Sequence, residues 1–148
     1  MLRLRSLLVL CLSLVSFVLV SCGAPEAVAP PTYSPEKIAQ IQLYAVPVEG
    51  AREKMETLRT LISDQNWVDT RTFIHGPLGQ LRQDMLGLSR MLLPNDQPRA
   101  AALAKELFGD LERLDSAAKD RSLNLAAVQY QEALEDLDAF LELIPQAS

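Results

Sequence analysis

Residues 99–144 read RAAALAKELFGDLERLDSAAKDRSLNLAAVQYQEALEDLDAFLELI, and the spacing of apolar residues in this stretch decides the fold. Leu103, Leu107, Leu111, Leu114 and Ala118 recur at steps of four and three. After a polar interval at 119–122, similar steps carry Ala127, Tyr130, Leu134, Leu137, Leu141 and Ile144 up to Pro145. Such steps put each set on one face of a helix, whereas a half-buried strand needs strict alternation and β-branched side chains. The stretch therefore predicts two amphipathic helices with a short link.

Working upstream, Pro94-Asn95-Asp96-Gln97-Pro98 is a break. Before it Ile74, Leu78, Leu81, Met85, Leu88 and Leu92 form a second stripe, with Asn66 or Asp69 as its cap. Gly76-Pro77 inside this stripe predicts a local kink. Further back, Ser34-Pro35-Glu36 reads as a helix start, with Ser34 as N-cap and Pro35 in the first turn. Ile38, Ile41 and Tyr44 give a short apolar face that Pro47 interrupts, and Ala51, Met55, Leu58 and Ile62 resume it. Four stripes with short connections predict an all-α, up-down-up-down four-helix bundle over residues 35–148, behind a proline-rich N-terminal extension.

The extension begins with an address. Arg3 and Arg5 precede an uncharged run at 7–20, shorter than the roughly 20 apolar residues of a membrane-spanning helix and of the length of a signal-peptide core. The run ends Leu19-Val20-Ser21-Cys22, an aliphatic residue, a small residue and then cysteine, which is the pattern cut by the lipoprotein signal peptidase. Residues 1–21 read as a lipoprotein signal peptide, cleaved after Ser21, with diacylglyceryl on the Cys22 thiol and further acylation of the new amino terminus. An ordinary secretory signal that happens to hold a cysteine is the alternative. Residues 22–34 hold Pro25, Pro30 and Pro31 and read as a semi-rigid tether between lipid and bundle.

Length and charge bound what the bundle does. With 148 residues and 49% hydrophobic side chains, the chain has the makings of one globular domain. Its net charge is -5, and loss of residues 1–21 takes away two arginines and no acid, leaving -7. A phosphate backbone rewards the opposite sign, so nucleic acid is excluded as a partner. Two cysteines, one in the signal segment and one consumed by lipid, leave no disulfide.

Enzyme signatures are absent: the sequence has no Gly-rich phosphate loop, GxSxG, HExxH or CxxC. His75 is the only histidine and reads first as a structural contact. With Met55 it is the one conceivable haem pair, but CxxCH is missing. With a carboxylate it could hold only weak, adventitious zinc. No intrinsic metal or cofactor is expected. Arg71, His75 and Arg82 fall within about 40° on a helical wheel and Arg90 lies some 60° further round, a basic stripe that either pairs with acids of its own chain or docks a partner. Glu132, Glu135, Asp136, Asp138 and Glu142 stand opposite in sign, with no Lys or Arg in 122–148. They read as a solvated face, or as a rival docking face.

Three segments carry a resemblance: WVDTRTFIHGPLGQLR at 67–82, AAKD at 117–120, and YQEAL with DAFL at 130–134 and 138–141. Together with the lipobox, tether and four-helix pattern they resemble the cyanobacterial PsbQ-like proteins along essentially the whole chain. The resemblance implies a non-catalytic, extrinsic subunit of photosystem II, lipid-anchored on the lumenal side of the thylakoid membrane. It further implies that the chain contacts intrinsic antenna proteins and other extrinsic subunits, stabilises the complex, supports water oxidation and helps retain calcium and chloride. The alternative from another class is a membrane-anchored periplasmic helical-bundle lipoprotein that carries a cofactor or small ligand in an apolar pocket.

The anchor reading makes a direct expectation. Two or three acyl chains, at about 0.8 kcal/mol per buried methylene, hold a protein where one chain would let go. Cys22→Ser is expected to move most of the protein from salt-washed membranes to the soluble fraction, as read by fractionation and immunoblotting. Unchanged partitioning would refute the anchor.

Overall fold

A computed structural model describes residues 32–146; the signal segment, Cys22 and most of the tether lie outside the described residues. Five helices make four legs: α1 (Pro35–Ser63), α2 (Trp67–His75) and α3 (Leu81–Ser89) in succession, α4 (Gln97–Lys119) and α5 (Leu123–Leu141). No strand occurs among the described residues. The first leg packs on the second and fourth, and the third leg packs on the same two, which closes the square of a four-helix bundle.

Each leg begins and ends for local reasons. The Ser34 hydroxyl accepts from the Lys37 N–H at 3.2 Å, and Asn66, rather than Asp69, caps α2 by accepting from the Asp69 N–H. Gln65 and Arg121 both take positive φ, 55°, and close α1 and α4 with bonds to Ile62 and Ala118 carbonyls. Two caps in the left-handed region without glycine carry a modest backbone cost, which the short links of the bundle impose.

The second leg is broken rather than kinked. α2 stops at His75, residues 76–80 form a turn, and α3 restarts at Leu81. Gly79 is required here, because a Cβ would collide with the His75 carbonyl oxygen. The stripe survives the break: Ile74, Leu78, Leu81, Met85, Leu88 and Leu92 are all buried. Lys54 of α1 reaches the Pro77 carbonyl at 3.4 Å, so the turn is also held from outside.

The other three stripes differ from the sequence reading; in α4 Leu103 is half-buried beside the buried Ala100 and Ala104. α1 runs unbroken through Pro47, whose ring points outward, so continuous helical phase from Ile41 selects Ala45 and Val48 and leaves Tyr44 exposed. In α5 the seam is Ala126, Tyr130, Ala133, Leu137, Phe140 and Ile144, steps of four and three, which leaves Ala127 exposed and Leu134 and Leu141 half-buried beside it. Small residues explain the rotation. Ala126 and Ala133 turn toward a third leg that buries Ala100, Ala104 and Ala117, so those two legs approach closely and the leucines flank the seam. Ile41, Met55, Leu58, Met85, Leu107, Leu114, Leu137 and Phe140 fill the interior.

Cross-links of polar groups fix the corners. Tyr33, expected in the tether, donates to Asp96 at 3.0 Å and accepts from the Leu93 N–H at 2.9 Å, which pins the chain before α1 onto the link between the second and third legs. Arg52 forks onto Asp138, tying α1 to α5, and Gln42 donates to the Pro145 carbonyl. Of the acidic face of α5, Asp138 is thus engaged inside the molecule, while Glu132, Glu135 and Glu142 stay exposed. The Tyr130 hydroxyl is buried without a partner, at a cost on the order of 1–3 kcal/mol.

One buried acid lies between the third and fourth legs. Asp110 of α4 is buried and paired with Arg113, and Asp136 of α5 stands against it, with Glu106 and Glu132 nearby. Burial first, then the neighbouring Asp110 and Glu106 charges, push the Asp136 carboxyl up to about 6. Burial also raises Asp110, against the pull of Arg113. A raised carboxyl contributes stability below its unfolded pKa that is lost as pH rises through the folded value. Asp136→Asn is therefore expected to raise the melting temperature at pH 7.5 and to flatten its change between pH 4 and 7. A variant melting as wild type across that range would show that Asp110 and Asp136 are not coupled.

Candidate functional site

Arg71, His75 and Arg82 remain on one side of the second leg despite the break, and all three meet α4. Phe108, Glu112 and Asp115 recur there at steps of four and three, so they present one face to the arginines. Arg71 forks onto Asp115, Nε to Oδ1 at 3.0 Å and Nη2 to Oδ2 at 3.3 Å. His75 Nε2 lies 3.0 Å from the same Oδ1. Arg82 donates to Glu112 at 3.2 Å and stacks its guanidinium 4.5 Å from the centre of the Phe108 ring.

The basic stripe is thus committed to its own chain, the first of the two readings its sequence allowed. Asp115 is the hub. Burial alone would raise its carboxyl, but the hydrogen bonds and charges of Arg71 and His75 outweigh that and hold it below the usual carboxylate range. The ion pairs are worth little individually, about 0–1 kcal/mol each at such exposure, and the Arg82–Phe108 stack adds about 0.5–1 kcal/mol. Their effect is register: they set how the broken second leg lies along α4.

Two grooves flank this hub. One, of about 390 Å³, runs between Leu78, Arg82, Phe108 and Leu111. The other, of about 510 Å³, opens at the far end, where Trp67, Val68 and Arg71 face Lys119 and Arg121. Lys119 ends α4 and Arg121 sits in the left-handed cap beyond it. Neither forms an ion pair among the described residues. This end carries uncompensated positive charge on an acidic protein, next to an exposed Val68. The sequence reading did not single out Lys119 and Arg121, because they stand far from α2 in sequence and only the fold closes that gap. A helix-terminating Lys facing the start of the preceding leg was the available signal.

As metal ligands, His75 and Asp115 are a poor pair. Asp115 already accepts from Arg71 on both oxygens, and no cluster of three or more His, Cys, Asp or Glu that could hold a metal ion occurs among the described residues. The haem pairing is not assembled either: Met55 is fully buried in the core, while His75 is 67% exposed on the outer face.

The geometry is that of a sealed bundle with a cation-rich edge. The family profile described as PsbQ, oxygen evolving enhancer protein 3, matches residues 3–145. The chain is also 65% identical over 147 residues to CyanoQ of Synechocystis sp., with 99% of each chain covered. A match of that extent spans nearly the whole chain, all four legs included, and the chain therefore belongs to the PsbQ family.

Proposed function

We propose that this chain is a non-catalytic, extrinsic accessory subunit of photosystem II, held on the lumenal side of the thylakoid membrane by lipid on Cys22. The observation that carries this reading is the family match over nearly the entire chain. The anchor raises the local concentration of the bundle, so a modest protein contact becomes effectively intramolecular. The domain then caps the lumenal surface of the intrinsic antenna proteins and other extrinsic subunits. By excluding bulk water it slows the loss of calcium and chloride and supports water oxidation.

The end of the bundle at Trp67, Val68, Lys119 and Arg121 supports docking better than the Arg71–Arg82 stripe, whose cations are already paired. An uncompensated cationic edge recognises carboxylates on a partner and speeds encounter. It needs no intrinsic cofactor.

The test is rebinding to photosystem II membranes stripped of this subunit. Lys119→Glu with Arg121→Glu is expected to leave the circular dichroism melt nearly unchanged and to weaken rebinding. The defect should be largest at low ionic strength, where charge steering is least screened. Wild-type rebinding by this variant at every salt concentration would remove the cationic edge from the interface.

A further inference from the structure

The outer side of α1 carries apolar residues that the bundle does not bury. Leu43 is 71% exposed, and Tyr44 and Val46 are 56% exposed. Leu43, Tyr44 and Pro47 form one wall of a groove toward α3, floored by Gly87 and rimmed by Gln80, Gln83 and Asp84. A Cβ built on Gly87 meets nothing within 4 Å, so the floor is open space. Pro47 has no N–H, so the Leu43 carbonyl loses its helical donor. An apolar wall with two amides and one carboxylate at the rim matches the make-up of a protein–protein contact, in which charge is depleted at the centre and kept to the edge.

We propose that this α1–α3 groove is a second, charge-independent contact with photosystem II, made against an uncharged apolar surface of a lumenal protein segment. The inference rests on the photosystem II reading above and adds a face to it. Three features favour this occupant over the others. A helix that lies on a bilayer carries Lys and Arg beside its apolar face, whereas Glu49 and Asp84 flank this one. A second copy would bring together two processed chains, each of net charge -7 after loss of Arg3 and Arg5, over a patch of a few side chains, far less than the roughly 800 Å² per partner of a stable dimer. The thirteen residues 22–34, at about 3.1 Å each, put the start of α1 no further than about 40 Å from a lipidated Cys22, within reach of a membrane-embedded complex.

The test uses the full lipidated chain and photosystem II membranes stripped of it. Leu43→Gln with Tyr44→Gln is expected to weaken rebinding about tenfold at low and at high salt alike, a loss of about 1.4 kcal/mol, with an unchanged melt. Gly87→Gln fills the groove on a better helix former and is expected to weaken rebinding while leaving the melt equal or higher. Rebinding of both variants at wild-type strength, with the wild type bound, overturns the groove and leaves the photosystem II reading standing. Failure of the wild type to rebind at all overturns that reading instead. Binding of unlipidated wild type to vesicles containing phosphatidylglycerol, lost in the Leu43 and Tyr44 variant, would make the occupant a bilayer and overturn the proposal. Wild-type self-association in sedimentation, lost in the same variant, would make it a second copy with the same consequence.

Discussion

Four apolar seams have to be buried at once in this bundle, and that requirement fixes which side chains are left to act outside it. Ile41, Leu58, Met85, Leu107, Leu114, Leu137 and Phe140 are drawn from all four legs and are fully buried. Deleting a leucine from such a core costs about 2–5 kcal/mol, several times the worth of any exposed ion pair in the molecule. The Arg71–Asp115, Arg82–Glu112 and Arg52–Asp138 pairs are consequences of the packing that tune its register. What packing does not claim is the cationic end at Lys119 and Arg121 and the apolar outer side of α1.

The break in the second leg shows how local chemistry and packing cooperate. Gly76, Pro77 and the close approach at Gly79 stop α2 one turn before its stripe would have continued. Yet Leu78 in the turn remains buried, and Arg82 beyond it still finds α4. A continuous helix would place the same residues on the same face. The turn lets the leg adjust along α4 without giving up a core position, and the Asp115 hub between Arg71 and His75 fixes where it settles.

Much of this was legible in the amino-acid pattern. The second stripe is buried at every expected position, and the all-helical bundle pattern agrees with the family to which the chain belongs. Two departures have separate causes. Leucines were given priority over alanines, but close approach of α4 and α5 makes Ala126 and Ala133 the seam residues and moves Leu134 and Leu141 to the flank. At Pro47 a breaker was expected to break, whereas an outward-facing proline in a helix packed on two sides only costs one hydrogen bond. The site was less legible. Wheel geometry brought Arg71, His75 and Arg82 together, but it carries no information on what faces them. Asp115 and Glu112, which engage the stripe, and Lys119 and Arg121, which extend it, come from another leg.

The measurement that bears most directly on a docked, non-catalytic role is amine-reactive cross-linking with mass spectrometry on isolated thylakoids. Lys119 stands at the cationic end of the bundle and is one of its four lysines. The expected result is Lys119 joined to a lumenal segment of a photosystem II subunit. Lys119 joined only to proteins outside photosystem II would contradict it.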